Sequence, residues 1–162
     1  MGKDIHMFIV KDGRLVKSNI YEGRCSTWFA NLCDAGTLDE YHYLPIVFGW
    51  GSLMPKEIAK RYSRERDYFD HYHIRVGYFK EWFEKYRPDI QAGWATTYEA
   101  WAIKNKGFCP DYLPTALTED MIKEDMQFIE YPYLMDQSHW LYDYLVKNKI
   151  DNNAFICYCF DC

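Results

Sequence analysis

No run of the chain approaches the roughly 18 to 20 uninterrupted apolar residues that a membrane-spanning helix needs, which excludes a helical membrane protein and leads to an expectation of no membrane partner. The start lacks the basic opening, apolar middle and small-residue cleavage site of a secretory signal, so the expected location is cytoplasmic. Basic residues are in the minority. With 19 Lys and Arg against 24 Asp and Glu, the formal net charge is −5, whereas a general nucleic-acid binder carries a basic footprint that neutralises phosphates. The expectation is therefore no general nucleic-acid binding, with only a local patch left open. Internal repeats and low-complexity tracts are absent as well. The six cysteines, in a chain of 162 residues without a secretory signal, read as reduced thiols and not as a disulfide framework.

What is present is apolar and aromatic. A 49% hydrophobic content over 162 residues suffices for one well-formed core and is short for two, so residues 1–162 read as a single domain. Aromatic residues make up 19% of the chain, with 15 tyrosines. They serve a core, stacking surfaces or an interface that would make a homo-oligomer, and composition does not choose among these.

Asp12-Gly13 between the extended runs 5–10 and 14–20 predicts an antiparallel hairpin. "GRCSTWFANLCDAG" predicts a short helix with Ser26 as N-cap and Gly36 as its stop. A glycine-rich loop, "FGWGS", leads into a helix starting near Pro55, since its spacing is that of a turn and not of a phosphate-binding loop. "HYHIRV" reads as a strand, "GYFKEWFEKYRPD" as an amphipathic helix halted by Pro88, and "TTYEAWAIKNKG" as a helix ending at Gly107. A proline-punctuated stretch follows, with one short helical piece around "TEDMIKEDM", and then a helix over "QSHWLYDYLVKNK". "NAFICYCF" is apolar on both faces, the pattern of a central strand. The order predicts an α+β fold: a mostly antiparallel sheet holding the N-terminal hairpin and the C-terminal strand, covered by several helices.

Residues i and i+2 of a strand share a face, so Asp4 pairs with His6 and His71 with His73. Two such dyads from adjacent strands are ligand-shaped for a zinc-like divalent ion, which takes imidazole nitrogen and carboxylate oxygen at about 2.0 to 2.2 Å. Asp70, just before the histidines, would serve as a further ligand or as a group orienting them. Against this stands the ordinary role of a strand-end histidine, a hydrogen bond to a neighbour or to water. Cys157, Cys159 and Cys162 have a thiolate-site spacing, but buried cysteine in a strand is more often core. Asp161 lies on the face of Cys157 and Cys159 at the strand's polar end. Arg24, two residues before Ser26, would set a guanidinium beside the N–H groups of a helix start, an arrangement suited to an anion. The basic run "KEIAKRYSRER" reads as a solvated helix face, and His139 among aromatics as a core histidine.

The segments "MGKDIHMFIV", "EGRCSTWFANL", "DHYHIRVGYFKEW" and "FICYCFD" resemble a family of phage and bacterial proteins that open Met-Gly-Cys-Asp-Ile-His, in patches over most of the chain outside about residues 94 to 150. The resemblance implies a shared polar site at Asp4, His6, Arg24, His71 or His73, and Asp161, and it brings no reaction with it. The chain departs from that pattern at Lys3, where the family has cysteine, so no thiolate is expected there.

Together these residues lead to two expectations. The first is a hydrolase dependent on zinc or manganese and acting on a phosphate-containing small molecule, with Asp4, His6, His71, His73 and Asp161 as metal ligands and Asp70 and Arg24 as catalytic residues. The second is a protein that binds a nucleotide-like ligand without turning it over, through histidine hydrogen bonds and aromatic stacking.

Overall fold

A computed structural model describes residues 4–24, 44, 46–62, 68–110, 112–133 and 138–161, with backbone alone for 22–24, 68–70 and 161. In chain order the elements are β1 (Asp4–Lys11), β2 (Arg14–Lys17), β3 (Glu22–Arg24), β4 (Val47–Phe48), α1 (Lys56–Arg61), β5 (Tyr68–Arg75), α2 (Val76–Tyr86), β6 (Ile90–Thr96), α3 (Thr97–Lys106), α4 (Glu119–Ile122), β7 (Met126–Pro132), α5 (Ser138–Lys147) and β8 (Phe155–Asp161). The fold is α+β, and all its strand pairings are antiparallel. The helix expected between Ser26 and Gly36 lies outside the described residues. Composition alone reads as one domain; the chain groups into two compact units, residues 1–86 with 140–162, and residues 87–139.

The first unit is built on the sheet β2-β1-β8-β5-β4, with β3 added beside β1. Asp12 and Gly13 both have positive φ, 52° and 69°, the backbone of a type I′ turn, whose twist matches that of the strands it joins. Lys11 and Asp151 pair at 2.6 Å, tying the end of β1 to the turn that precedes β8. The C-terminal strand is central, with β1 on one edge and β5 on the other. Its two faces are both core. Ile156, Tyr158 and Phe160 pack with Ile5, Met7 and Ile9 under α2 and α5, which contribute Phe79, Phe83, Leu141 and Leu145. On the other face Cys157 and Cys159 pack with Phe8 and Val10 under Trp50, Met54 and Tyr62. Each such fully buried apolar side chain stabilises by about 1.5 to 3 kcal/mol over leaving it in water.

The second unit is the two-stranded sheet β6-β7 with α3 and α4. Helix α3 ends at Gly107, as expected, at φ 66°, and at its start Thr96 and Glu99 form a reciprocal capping box. Its small core is Ala95, Leu113 and Tyr131, and the Tyr131 hydroxyl accepts from the Leu113 N–H at 3.0 Å while donating to Gln91 at 2.8 Å. Trp94 N–H donates to Pro114 O, so the 112–114 segment lies along β6 at close range. Glycine is required there. A Cβ on residue 93 would lie 2.6 Å from Leu113 Cβ and 2.9 Å from its carbonyl oxygen.

Gly93→Ala is therefore expected to destabilise the protein by about 1 to 3 kcal/mol, as overpacking against backbone does. Urea unfolding followed by tryptophan fluorescence checks it; an unchanged midpoint would mean that the 112–114 segment does not press on β6.

Candidate functional site

The β1–β8–β5 register decides which polar residues meet. Asp4 opposes Asp161, which opposes Tyr68 on its other side, and Arg24 opposes Asp4 from β3. One step along, His6 opposes Cys159, and one step further Phe8 opposes Cys157, which opposes His73. Between Phe69, opposite Phe160, and Tyr72, opposite Tyr158, the β5–β8 ladder shifts register. Two residues of β5, Asp70 and His71, thus stand against the single residue Cys159, which is a β-bulge. Without it the alternation would send His71 and His73 to the opposite face from the one that pairs Tyr68 with Asp161.

Asp4, His6, Arg24, His71, His73 and Asp161 therefore hold register positions on one sheet face, in adjoining rows, with Asp70 beside them in the bulge. Arg24, Asp4 and Asp161 form the outermost row. Glu22, His6, Cys159 and the Asp70–His71 bulge form the next, and His73 belongs to the third. For Arg24, Asp70 and Asp161 the register position is what the structure describes.

The 49–62 segment covers the two inner rows, packing Trp50, Met54 and Tyr62 on Phe8, Cys157 and Cys159. Gly49, at φ 84°, turns its peptide so that its N–H donates to His71 O and its carbonyl accepts from His73 Nδ1 at 2.6 Å. The Trp50 indole N–H reaches into the sheet and donates to Tyr72 O at 3.0 Å and Tyr158 O at 3.1 Å, bridging β5 and β8 beside the bulge. Its ring meets the His71 imidazole edge-on, with centroids 4.6 Å apart. His71 Nε2 donates to Tyr62 O at 2.7 Å, and the Tyr62 ring packs 5.7 Å from His6 and 5.1 Å from Phe8. Tyr62 thus spans from His6 to His71 over Cys159.

This wall has chemical consequences. A carbonyl only accepts, so His71 carries a proton on Nε2 and His73 on Nδ1; in a neutral ring the lone pair is then on His71 Nδ1 and on His73 Nε2. A histidine fixed in this way through one nitrogen is oriented for a second partner at the other, as metal-binding histidines are. Burial pushes the Cys157 thiol up to about 12, so it is a protonated core group at neutral pH and not a nucleophile. Cys157 and Cys159 are fully buried, as their core reading expects, and Cys162 lies outside the described residues. Among the described residues, no three His, Cys, Asp or Glu side chains form a metal-binding group; the side chains of Asp70 and Asp161 are not among them.

Comparison with family models, curated proteins and solved structures finds no match. Sequence reasoning missed Gly49, Trp50 and Tyr62, which hold the histidines. The available signal was "FGWGS" itself, a tryptophan between two glycines that read only as a turn.

Two outcomes follow. Long-range proton–nitrogen spectra of the imidazoles are expected to show opposite neutral tautomers, Nε2–H for His71 and Nδ1–H for His73; the same tautomer in both would contradict the roof geometry. Trp50→Phe keeps a ring but leaves two carbonyls without their donor, and is expected to cost about 1 to 3 kcal/mol in denaturant unfolding, with a change in the His71 resonances. An unaltered midpoint would show that the indole N–H does not hold the bulge.

Proposed function

We propose that the outer end of this sheet face is a divalent-metal site of a hydrolase acting on a phosphate-containing small molecule, with zinc or manganese as the metal. The observation that supports it is the Asp4–Asp161 pairing. Two carboxylate-bearing residues directly across an antiparallel pair repel each other, and a cation beside them would relieve that repulsion. Arg24 flanks Asp4 from β3, and His6 follows Asp4 on the same face. Oxygen and imidazole donors in this combination fit zinc or manganese. Asp4, His6 and Asp161 would hold the ion, with Asp70 and His71 in the adjoining row and His73 one row further.

When bound there, such an ion supplies a nucleophile at neutral pH by lowering the pKa of water. Asp70, in the bulge, would take the proton, and Arg24 would hold the anionic group of the substrate. His71 and His73, tied to Tyr62 and Gly49, keep the wall rigid.

The second reading, a protein that holds a nucleotide-like ligand without turning it over, is favoured by those same ties: His71 and His73 each spend a ring nitrogen on a backbone carbonyl, and His6 packs on the Tyr62 ring.

Elemental analysis of protein purified without a His tag separates the two. The metal reading predicts a near-stoichiometric divalent ion, a melting temperature lowered by chelator, and a loss of both effects in His6→Ala. Unchanged metal content in His6→Ala, with a parent protein indifferent to chelator, would leave the ligand-binding reading.

A further inference from the structure

The alternation that puts His71 and His73 on one face continues to Arg75, at the end of β5 opposite Phe155. Its guanidinium carbon lies 5.2 Å from the Tyr78 ring centroid and 5.5 Å from that of Phe155, so two aromatic rings fix it in place. The His73 ring borders the same Phe155, 5.8 Å away. Arg75 Nε is buried and, among the described residues, has no hydrogen-bond partner. An unsatisfied buried donor on a charged group is costly, and most are paired.

Among the described residues Arg75 makes no ion pair. Arg75 is followed directly by α2, whose first turn contains no acidic residue. The macrodipole makes a helix start the wrong end for a lone cation and a favourable one for an anion. Asp151, the acid of the neighbouring turn, is taken by Lys11 and by the Asn153 N–H. Lys80, further along α2, donates at 2.9 Å to a neutral group, Asn152 Oδ1.

We propose that Arg75, gripped by Tyr78 and Phe155, anchors a binding site for an oxyanion of the phosphate class. A guanidinium fork takes such an oxyanion through two parallel N–H donors. Tyr78 is an exposed residue, 49% accessible, and displacement of its ring would open the Nε side of the fork. Arg75 lies about 13 Å along the strand from His71, at 3.3 Å per residue, so this site is separate from the metal corner and does not depend on it.

The test is the Arg75 Nε–H resonance of the full chain during titration with inorganic phosphate. Sodium chloride at matched ionic strength, sodium acetate, and phosphate with chelator present serve as parallel arms. The expected result is a saturable shift with phosphate, weaker with acetate, absent with chloride and unchanged by chelator. Arg75→Lys keeps the charge but loses the fork, and is expected to bind phosphate at least about tenfold more weakly by calorimetry. A shift that does not saturate, that chloride or acetate matches, or that chelator abolishes would overturn the proposal, as would Arg75→Lys binding like the parent. Should Arg75→Lys not fold, the parent titration decides alone.

Discussion

Strand β8 has a hydrogen-bonding neighbour on each edge and a packed layer on each face, so nothing about it can be adjusted independently. Residues 156 to 160 are fully buried. A backbone N–H or carbonyl that lost its partner there would be out of reach of solvent and would cost on the order of 1 to 3 kcal/mol. Yet β5 brings one residue too many to the ladder between Phe69 and Tyr72. The extra residue is accommodated because the Trp50 indole donates to the carbonyls of Tyr72 and Tyr158, one on each strand. Trp50 in turn is fixed by the Gly49 turn and by Phe8, which it meets edge-on at 5.9 Å. The bulge, the indole and the roof segment thus form one cooperative arrangement.

That arrangement sets the polarity of the sheet. One face is the larger apolar core under α2 and α5; the other begins apolar at Val10 and Phe8 and turns polar toward His6 and Asp4. At the polar end β3 places Arg24 and Glu22 opposite Asp4 and His6, while β8 places Asp161 opposite Asp4. At the far end of the same face, Arg75 stands between two rings with a buried donor to spare.

Much of this architecture was legible in the sequence, for local reasons. Asp12-Gly13 dictates a turn that few other dipeptides make, the unbroken apolar run 155–160 calls for burial on both faces, and Gly107 marks the end of α3. Strands β6 and β7 were missed because they carry the glycine and proline that usually argue against strands. Gly93 is there to admit Leu113, and Pro132 stands at the end of β7. Strands β3 and β4 are too short for any periodicity to register. The D-x-H and H-x-H spacings located candidate residues but not their register, because a bulge depends on the partner strand and leaves no mark in its own. The partners of the histidines are likewise non-local: Tyr62 and Gly49 are recognisable only once the 49–62 segment is seen lying across the sheet.

The proposed metal site depends on the bulged register, which aligns Asp4, His6, Asp161 and the Asp70–His71 pair at one end of the sheet. Paramagnetic line broadening by substoichiometric manganese tests it most directly. The account predicts that backbone amide signals of residues 4–6, 70–71 and 159–161 broaden together and first, ahead of the exposed carboxylates of α4. Broadening scattered over surface acids, or confined to one of the three strands, would contradict it.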